Sequence, residues 1–572
     1  MAYENPYTPP TLTGFNSAPP SDDGQRTSTN VVRWSTHLAK IGTPLRSFAQ
    51  AMNAAVLDGF TLLPTRLGIP DWQLGSTAAE IAASVTPLNL KYEELDPHRY
   101  SNTLNNAAVQ IAVNVAAAKV GGGRVPIRED FSFTSPVAMA LNVFIEYWGG
   151  SISCNGCSAF TFNFYTGVGK HGVIGALPIN GTNCETVIAI DQPGSGSDLD
   201  QCYGILIDGV QIRNFNKCIR FRTAWFCSIQ NVRGENINSG LDLAGYNILC
   251  HVSNNKFVKA AGCGTGASDG YLFDVATFTN GGAHVRNPEG IWGVGNQAFG
   301  FDTALNLNVV TGLELPGTDL LGTINAIKFS TVGDYVEVSG YFAVSGTLAT
   351  ACIKGTGQAS VSNSANTKFK GKCIASGTTS CLGLQLDDYG VNQNQAFVDV
   401  DLDFSGFTSY DIGLFSCGNV NIKRGTKCRS TALATSIRVT GTLAARPITI
   451  EDGVYCVGRV DVPFAETQLA QVLVGALTGT YSTYVRGVST ITNPATSVTT
   501  TFASLLGAGS IPNFAATADT SMVLDLFLGT PSADVDGVWG SAAVDGVTIN
   551  VNTTPATSVT IPWEVRVRQR YS

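Results

Sequence analysis

Three carboxylates in the middle of the chain, Asp208, Glu235 and Asp242, are candidates for acid–base chemistry. Cleavage of a glycosidic bond needs two carboxylates, about 5–5.5 Å apart for retention of configuration or about 6.5–9.5 Å apart for inversion. Three further side chains accompany these acids in the sequence, namely Arg220, Arg222 and Trp225. A guanidinium could pair with an acidic sugar, and an indole could stack on a pyranose ring. The same group could serve a lyase, in which a cation neutralises a uronate beside a base.

The elements that would position these side chains are indicated by a repeat. Ile207-x-x-Val210 reappears 22 residues later as Ile229-x-x-Val232, and Ile219-x-Phe221 reappears at the same interval as Leu241-x-Leu243. This return predicts a β-solenoid, in which the inward side chains of each coil stack on those of the coil before. The alternative is a β-sandwich, but sandwiches usually show turn signals about every 8–12 residues without long-range register.

The repeat also predicts where the carboxylates point. Asp208 and Asp242 alternate with inward apolar residues, so both are expected to face outward. One coil away, their positions are taken by Gln230 and Arg220, and Glu235 falls in a turn. The alternative interpretation is that these acids belong to solvated faces and turns, because any solenoid surface carries scattered acids.

Further repeats extend the predicted solenoid toward the C-terminus. The pattern at 400–402 returns at 420–422 after 20 residues, and a similar pair follows at 437–439 after 17. This drift predicts coils of variable length. The segment Val332–Gly346 alternates strictly between apolar and polar residues, which is typical of an antiparallel hairpin.

Size and composition exclude several classes of protein. The 572 residues are too many for one compact core, and the low charged fraction of 14% with 62 glycines suits β-structure with many tight turns. The net charge of −8 and the lack of a dense Lys/Arg run argue against nucleic acid as a ligand. We find neither an apolar run of about 18 residues nor a signal peptide, so we expect no membrane insertion and folding in a cytoplasm.

The fourteen cysteines lie between Cys154 and Cys456 and are predicted to be structural thiols. Cys227 and Cys250 are one coil apart, as expected of small buried side chains that stack. Cys154-x-x-Cys157 has the spacing of half a zinc site but lacks a second pair, and the five histidines show no metal spacing. Nucleotide, redox and serine-esterase motifs are missing as well, so we expect no metal and no cofactor.

Four regions are expected along the chain. Residues 1–64 form a Pro-rich leader and a short amphipathic helix, whose apolar stripe comprises Leu45, Phe48, Ala49, Met52 and Val56. Residues 65–135 are a linker that ends in a second helix with the apolar face Leu104, Ala108, Ile111 and Val115, stopped by Gly121–Gly123. Residues 136–445 are the solenoid. Residues 446–572 are a separate antiparallel β-domain, in which Trp563, Val565 and Val567 alternate with charged residues.

This order of parts resembles a tailspike or tail fibre of a tailed bacteriophage. The stretch "PPTLTGFNSAPPSDDGQ...VRWSTHLAKIGTPLRSFAQAMN" is similar to the head segment by which such proteins attach to the tail. The junction "AAVQIAVNVAAAKVGGGRVPI" resembles the one that leads into pectate-lyase-like β-helices, although "PIREDFSF" follows where that family usually has a Pro-x-Gly-x-Tyr turn.

The resemblance implies a homotrimer of right-handed parallel β-helices in the virion, joined to a tail or baseplate protein by its N-terminal segment. It further implies binding of bacterial surface polysaccharide, such as O-antigen, capsule or exopolysaccharide, and often its cleavage. Two function classes stay open at this point: a depolymerase, and a non-cleaving adhesin or structural fibre. A deacetylase without the usual esterase motif also fits.

Overall fold

The computed structural model describes residues 76–162, 169–190, 202–259, 268–278, 284–357, 366–388, 397–431, 433, 435–440, 447–461, 472–475, 477–478, 484–501, 522–533, 537–543 and 546–569. The predicted attachment segment 1–64 and its helical stripe lie outside the described residues. The chain divides into two compact units, one of Met1–Glu94 with His98–Ser101, and one of Leu95–Pro97 with Asn102–Ser572.

The described part of the first unit is built around a buried ion pair. Its helix α1 (Ala78–Ala82) begins at Thr77, which forms a capping box with Glu80. Arg99 donates two hydrogen bonds to the carboxylate of Glu80, one of them 3.1 Å long, and both side chains are buried. Burial alone would raise the pKa of Glu80, but the hydrogen bonds and charge of Arg99 lower it below its usual value. A 3-10 helix, Pro97–Arg99, follows.

In the second unit, helix α2 (Asn106–Ala118) packs against the first strands of the solenoid. The Asn105 side chain accepts a hydrogen bond of 3.1 Å from the amide of Ala108, which caps the helix. The buried face comprises Ala108, Val109, Ala112, Val113, Val115 and Ala116. The predicted face was therefore rotated, because Leu104 precedes the helix and Ile111 is only half-buried.

The parallel strands are short and numerous. They are β1 (Gly123–Ile127), β2 (Phe131–Phe133), β3 (Val137–Met139), β4 (Val143–Tyr147), β5 (Ile152–Asn155), β6 (Phe160–Phe162), β7 (His171–Ile174), β8 (Pro178–Ile190), β9 (Cys202–Tyr203), β10 (Ile205–Asp208), β11 (Gln211–Phe221), β12 (Ala224–Trp225), β13 (Ser228–Gln230), β14 (Arg233–Glu235), β15 (Ser239–Ala244), β16 (His251–Ser253), β17 (Lys256–Val258) and β18 (Asp269–Asp274). An antiparallel pair, β19 (Ala276–Phe278) and β20 (His284–Arg286), interrupts them.

The remaining strands of the solenoid include one very long strand. They are β21 (Glu289–Trp292), β22 (Gln297–Ser345), β23 (Ala351–Thr356), β24 (Asn366–Ser376), β25 (Leu382–Asp387), β26 (Phe397–Ser405), β27 (Ile412–Phe415), β28 (Val420–Ile422), β29 (Lys427–Cys428), β30 (Thr435–Thr440), β31 (Ile448–Ile450), β32 (Tyr455–Cys456), β33 (Arg459–Asp461) and β34 (Val472–Val474).

These strands form a parallel β-helix, as the sequence predicted. Ile207 pairs with Ile229, and Phe221 pairs with Leu243, so each residue meets its partner one coil later. All eight inward residues of the repeat that the sequence shows between Ile207 and Leu243 are fully buried. Cys227 and Cys250 are buried as well, and burial raises the pKa of the Cys227 thiol.

The β-helix has three outward faces that carry candidate site residues. Face A is the outward side of β7, β10, β13, β16 and β21, face B is that of β14, β17 and the first part of β11, and face C is that of β15, β18, β23 and the last part of β11. A fourth surface, face D, is the outward side of residues 335–345 with β24 and β26, which pair in parallel throughout.

Three details of the predicted solenoid were wrong. Val398 pairs with Val420, so the true interval there is 22 residues, and the apparent 20 arose because four buried apolar residues alternate along β26. The residues at 437–439 pair with β27 and not with β28, because Ile437 is the register partner of Ile412. The alternating segment 332–346 is no antiparallel hairpin, since residues 335–345 pair in parallel with β24.

The solenoid is also longer than the expected 136–445. Parallel pairing begins at β1, before residue 136, and continues to β34, past residue 445. The strands after β34 are β35 (Tyr484–Ile491), β36 (Ser497–Thr501), β37 (Met522–Leu528), β38 (Val538–Ala543), β39 (Gly546–Val551) and β40 (Val559–Gln569).

These last strands form the antiparallel C-terminal sheets that the sequence predicted. One sheet has the order β35-β40-β37, and the other has the order β36-β39-β38. Trp563 and Val565 are buried in their common core, and the Trp563 indole donates a hydrogen bond of 2.8 Å to the Ser489 hydroxyl.

Candidate functional site

The three predicted catalytic carboxylates lie on three different faces of the helix. Asp208 ends β10 on face A, Glu235 ends β14 on face B, and Asp242 lies within β15 on face C. The expected strip of neighbouring acids is therefore not formed. The sequence repeat shows which residues point inward. It does not show on which face of the β-helix an outward residue lies.

Asp242 is the largest departure from expectation, because its side chain is only 1% exposed. It alternates with two buried leucines and so points away from the core, but two cations cover it. Arg222 donates two hydrogen bonds to it, of 2.7 and 2.9 Å, and Lys217 donates a third of 3.0 Å. Burial would raise the pKa of Asp242, but Arg222 and Lys217 lower it below its usual value. Arg220 is the register partner of Asp242 one coil earlier.

Asp208 and Glu235 have simpler surroundings. Asp208 is half-buried and accepts a hydrogen bond of 2.8 Å from the Asn231 amide. Glu235 forms an exposed ion pair of 2.9 Å with Arg213, its partner one coil earlier. Neither arrangement brings a second carboxylate within reach.

Trp225 lies in an aromatic cluster at the corner that precedes face A. Its ring contacts Tyr203 and Tyr246 edge-on, at centroid distances of 5.6 and 5.2 Å. Arg286 lies over the Tyr246 ring at 5.2 Å. The Trp225 indole nitrogen is buried without a hydrogen-bond partner among the described residues. Trp225 is thus mainly a packing residue, and the exposed aromatic ring is its neighbour Phe226.

Phe226 lies in a turn that recurs at the same place in successive coils. We call these turns a column of corners, and the backbone in each of them is left-handed. Gly204, Phe226, Leu249, Gly290 and Gly312 all have a φ between 51° and 69°. Glycine adopts this conformation freely, but a bulky side chain does so only with strain. The side chains of Phe226 and Leu249 are 56% and 46% exposed, so burial within the chain does not explain them.

Face A, next to these corners, carries a group of residues that sequence reasoning missed. His251 stacks on Trp292, its partner one coil later, with a centroid distance of 4.1 Å and an interplanar angle of 28°. The Trp292 side chain is 51% exposed. On the other side, Ser228 is the partner of His251 one coil earlier. Ser228 and His251 are 23 residues apart, about the length of one coil, so the sequence alone could have predicted that they are neighbours.

Face D carries a second arrangement that was missed. Lys368, Lys370 and Lys372 alternate outward along β24, opposite Asp399, Asp401 and Asp403 on β26. Lys423 pairs with Asp399 at 3.5 Å, and Arg429 pairs with Asp403 at 3.3 Å. The alternation of charge along both strands was visible in the sequence, but only its apolar half was used.

The described residues contain no group of three or more acidic, histidine or cysteine side chains suited to a metal ion. They also contain no helix that is long and apolar enough to cross a membrane.

Comparison with known proteins gives a result only at the level of structure. No family model matches the chain, and no curated protein matches it. A mutant tailspike protein of E. coli bacteriophage HK620 is 10% identical, with 82% of this chain and 89% of that chain covered and a TM-score of 0.44. This matched structure is a phage tailspike.

Some of these matched tailspikes contain an oligosaccharide. The HK620 tailspike in complex with pentasaccharide is 10% identical, with 82% of this chain and 90% of that chain covered and a TM-score of 0.38. Another mutant of it in complex with pentasaccharide matches with the same coverage, 10% identity and a TM-score of 0.45. Tailspikes are also the class of protein that the sequence resembles.

Proposed function

We propose that the protein is a bacteriophage tailspike or tail fibre that recognises a polysaccharide on the surface of the host bacterium. The observation that carries the proposal is the exposed Trp292 ring on face A. The ring is held against His251, so little side-chain entropy is lost when a ligand covers it. An apolar ring face beside hydroxyl and amide groups is what a pyranose ring needs.

The surroundings of Trp292 support a sugar ligand. The corners Phe226 and Leu249 present apolar side chains beside the same face, two residues before Ser228 and His251 respectively. Gln230 and Asp208 add an amide and a carboxylate to it. A strained backbone and an exposed ring are both unfavourable in the isolated chain, and contact with a ligand offsets both.

The rest of the proposal follows from the sequence resemblance. Residues 1–64 attach the protein to a tail or baseplate protein, and the protein resides in the virion. The chain assembles as a homotrimer, because trimerisation buries apolar surface that a single solenoid would expose to solvent. The C-terminal sheets stabilise this trimer or add a second sugar contact.

Face A supports binding without cleavage of a glycosidic bond, since Asp208, Glu235 and Asp242 are separated. Face D supports cleavage as a second candidate function. Asp401 and Asp403 alternate on one strand, so they are about 6.6 Å apart along it, within the range of inverting glycosidases. Arg429 forms an ion pair of 3.3 Å with Asp403, and Asp401 is the second carboxylate of the candidate pair. Release of reducing ends by the unmodified protein but not by Asp401→Asn would support this role, and equal release by both would exclude it.

The test of the main proposal is binding of host surface polysaccharide fragments, measured by calorimetry. Trp292→Ala should weaken binding about 30-fold, which corresponds to roughly 2 kcal/mol. Trp148→Ala is the matched control, because Trp148 is 55% exposed but is covered by Arg128 on one face. Equal affinity of both variants would contradict the role of face A, and no binding by the unmodified protein would contradict the function.

A further inference from the structure

Face A contains a serine–histidine–serine chain of hydrogen bonds that polysaccharide binding does not need. The Nδ1 atom of His251 is 3.3 Å from the Ser228 hydroxyl, and its Nε2 atom is 2.6 Å from the Ser253 hydroxyl. Ser228 and His251 are register partners in neighbouring coils, so the parallel ladder itself holds the pair together. Ser253 lies two residues after His251 on the same strand.

The environment of Ser253 allows it to orient the imidazole. Ser253 is buried, and its hydroxyl oxygen accepts a hydrogen bond of 3.0 Å from the amide of Val294. The same oxygen can accept a second hydrogen bond, from Nε2–H of His251. In that tautomer Nδ1 carries a lone pair directed at the half-exposed Ser228 hydroxyl. This is the order nucleophile, base, orienting group that activates serine in hydrolases.

A donor for the developing oxyanion is also on this face. Gln230 points outward two residues after Ser228, about 6.6 Å along β13. Its side chain is half-exposed, and its amide has no hydrogen-bond partner among the described residues. A glutamine amide can stabilise the negative charge of a tetrahedral intermediate. Trp292 adjoins the pair and would hold a sugar ring beside it.

We propose that Ser228 and His251 form the catalytic centre of an esterase that removes O-acyl groups from the polysaccharide bound on face A. The proposal rests on the proposed function for its substrate, but its chemistry can be measured without that substrate. Both ring nitrogens of His251 face serine hydroxyls, so no carboxylate strengthens the base. Such a pair suits an ester, whose alkoxide leaves readily, better than an amide.

The reaction proceeds in two balanced steps. In the first, the Ser228 oxygen attacks the ester carbonyl, His251 takes the hydroxyl proton and returns it to the departing sugar oxygen, and an acyl-Ser228 remains. In the second, water attacks the acyl group, His251 takes a proton from that water and returns it to Ser228, and a carboxylic acid is released. Gln230 donates to the carbonyl oxygen in both steps. Burial lowers the pKa of His251, so the imidazole is neutral and able to act as a base at pH 7.

The first test uses p-nitrophenyl acetate and a fluorophosphonate probe on the full chain. We expect hydrolysis above background, covalent labelling of Ser228 by peptide mass spectrometry, and at least a 100-fold loss in Ser228→Ala and His251→Gln. Ser153→Ala is the matched control, since Ser153 is an exposed serine on β5. Ser253→Ala should shift the pH profile of the remaining activity, because Ser253 is a positioning residue. Unchanged hydrolysis in Ser228→Ala, or label on another residue only, would overturn the proposal.

The second test separates this proposal from the proposed function. Binding to chemically deacylated polysaccharide should persist in Ser228→Ala and fall in Trp292→Ala. Intact binding without any ester hydrolysis would refute the esterase alone. Hydrolysis of the small ester without polysaccharide binding would refute the proposed function and leave the catalytic pair standing.

Discussion

At the scale of single residues, a buried and an exposed carboxylate have different surroundings and therefore different roles. Asp242 lies under Arg222 and Lys217, which occupy its oxygen atoms from the preceding coil. Such a carboxylate accepts three hydrogen bonds and is only 1% exposed, so it joins two coils and does not meet a substrate. Glu235, by contrast, shares its charge with Arg213 in open water.

The first prediction compares these two acids. Asp242→Ala should lower the free energy of unfolding by about 3 kcal/mol, because it breaks a buried ion-pair network and leaves the partly buried Arg222 and Lys217 without a partner. Glu235→Ala should lower it by less than about 1 kcal/mol, because exposed ion pairs contribute little. Urea denaturation of both variants measures the difference. A similar small loss in both would show that solvent reaches Asp242.

The second prediction concerns Asp411, which is fully buried before β27 and accepts hydrogen bonds from the hydroxyl and amide of Ser430. Burial raises the pKa of Asp411 to about 7. Since the unfolded value is about 3.9, the folded state binds more protons between these values, and Asp411 makes stability fall as pH rises from about 4 to 7. Thermal midpoints at pH 5 and pH 8 should therefore differ less in Asp411→Asn than in the unmodified protein. An equal difference in the two proteins would contradict the raised pKa of Asp411.

At the scale of elements, the corners between strands set the character of each face. Corners with φ near +60° recur at one place in successive coils, and glycine occupies most of that column. Phe226 and Leu249 replace glycine where the corner adjoins Ser228 and His251. The column thus shows where the chain accepts backbone strain in exchange for an exposed side chain.

The third prediction tests that exchange. Phe226→Gly should raise the free energy of unfolding by about 1 kcal/mol, because glycine relieves the left-handed strain. It should also weaken polysaccharide binding, because the exposed ring is lost. Phe226→Ala should weaken binding to the same degree without the gain in stability, because alanine keeps the strain. A gain in stability with unchanged affinity would show that the ring has no role in binding.

The elements were more predictable than the site. The return of Ile207 as Ile229 was readable because a coil that stacks on its neighbour must repeat its inward residues. Outward residues need not repeat from coil to coil. The sequence therefore could not predict that Asp208, Glu235 and Asp242 lie on three different faces. The burial of Asp242 depends on long side chains that fold back over it from the preceding coil. Strict alternation at 335–345 was misread because parallel and antiparallel strands with one wet face share that pattern.

At the scale of the whole molecule, the solenoid and the C-terminal sheets belong to one compact unit, and residues 1–64 belong to the other. Pairing in the solenoid runs from coil to coil, and each strand contacts mainly its neighbours. Recognition and attachment can therefore reside in different parts of the chain, as the proposed function requires.

The fourth prediction addresses this division. The full chain should have a mass of three times 60.1 kDa, and a protein that lacks residues 1–64 should remain a trimer of correspondingly lower mass and should still bind host cells. Light scattering and a cell-binding assay measure the two properties. Loss of host binding in a truncated trimer would assign recognition to the N-terminal segment, and a single-chain mass for the full protein would exclude the trimer.

The position of α2 has a consequence for how the chain is made on the ribosome. This helix covers β1 to β4 and comes directly before them in the sequence. The first coils therefore have their apolar end covered as soon as they leave the exit tunnel. Each later coil then adds its strands to an edge that is already folded, and domains folded in this order begin at the N-terminus during synthesis. Slow translation should thus favour the native product. Each new strand then has time to pair with the growing β-helix before its unpaired edge pairs with another chain.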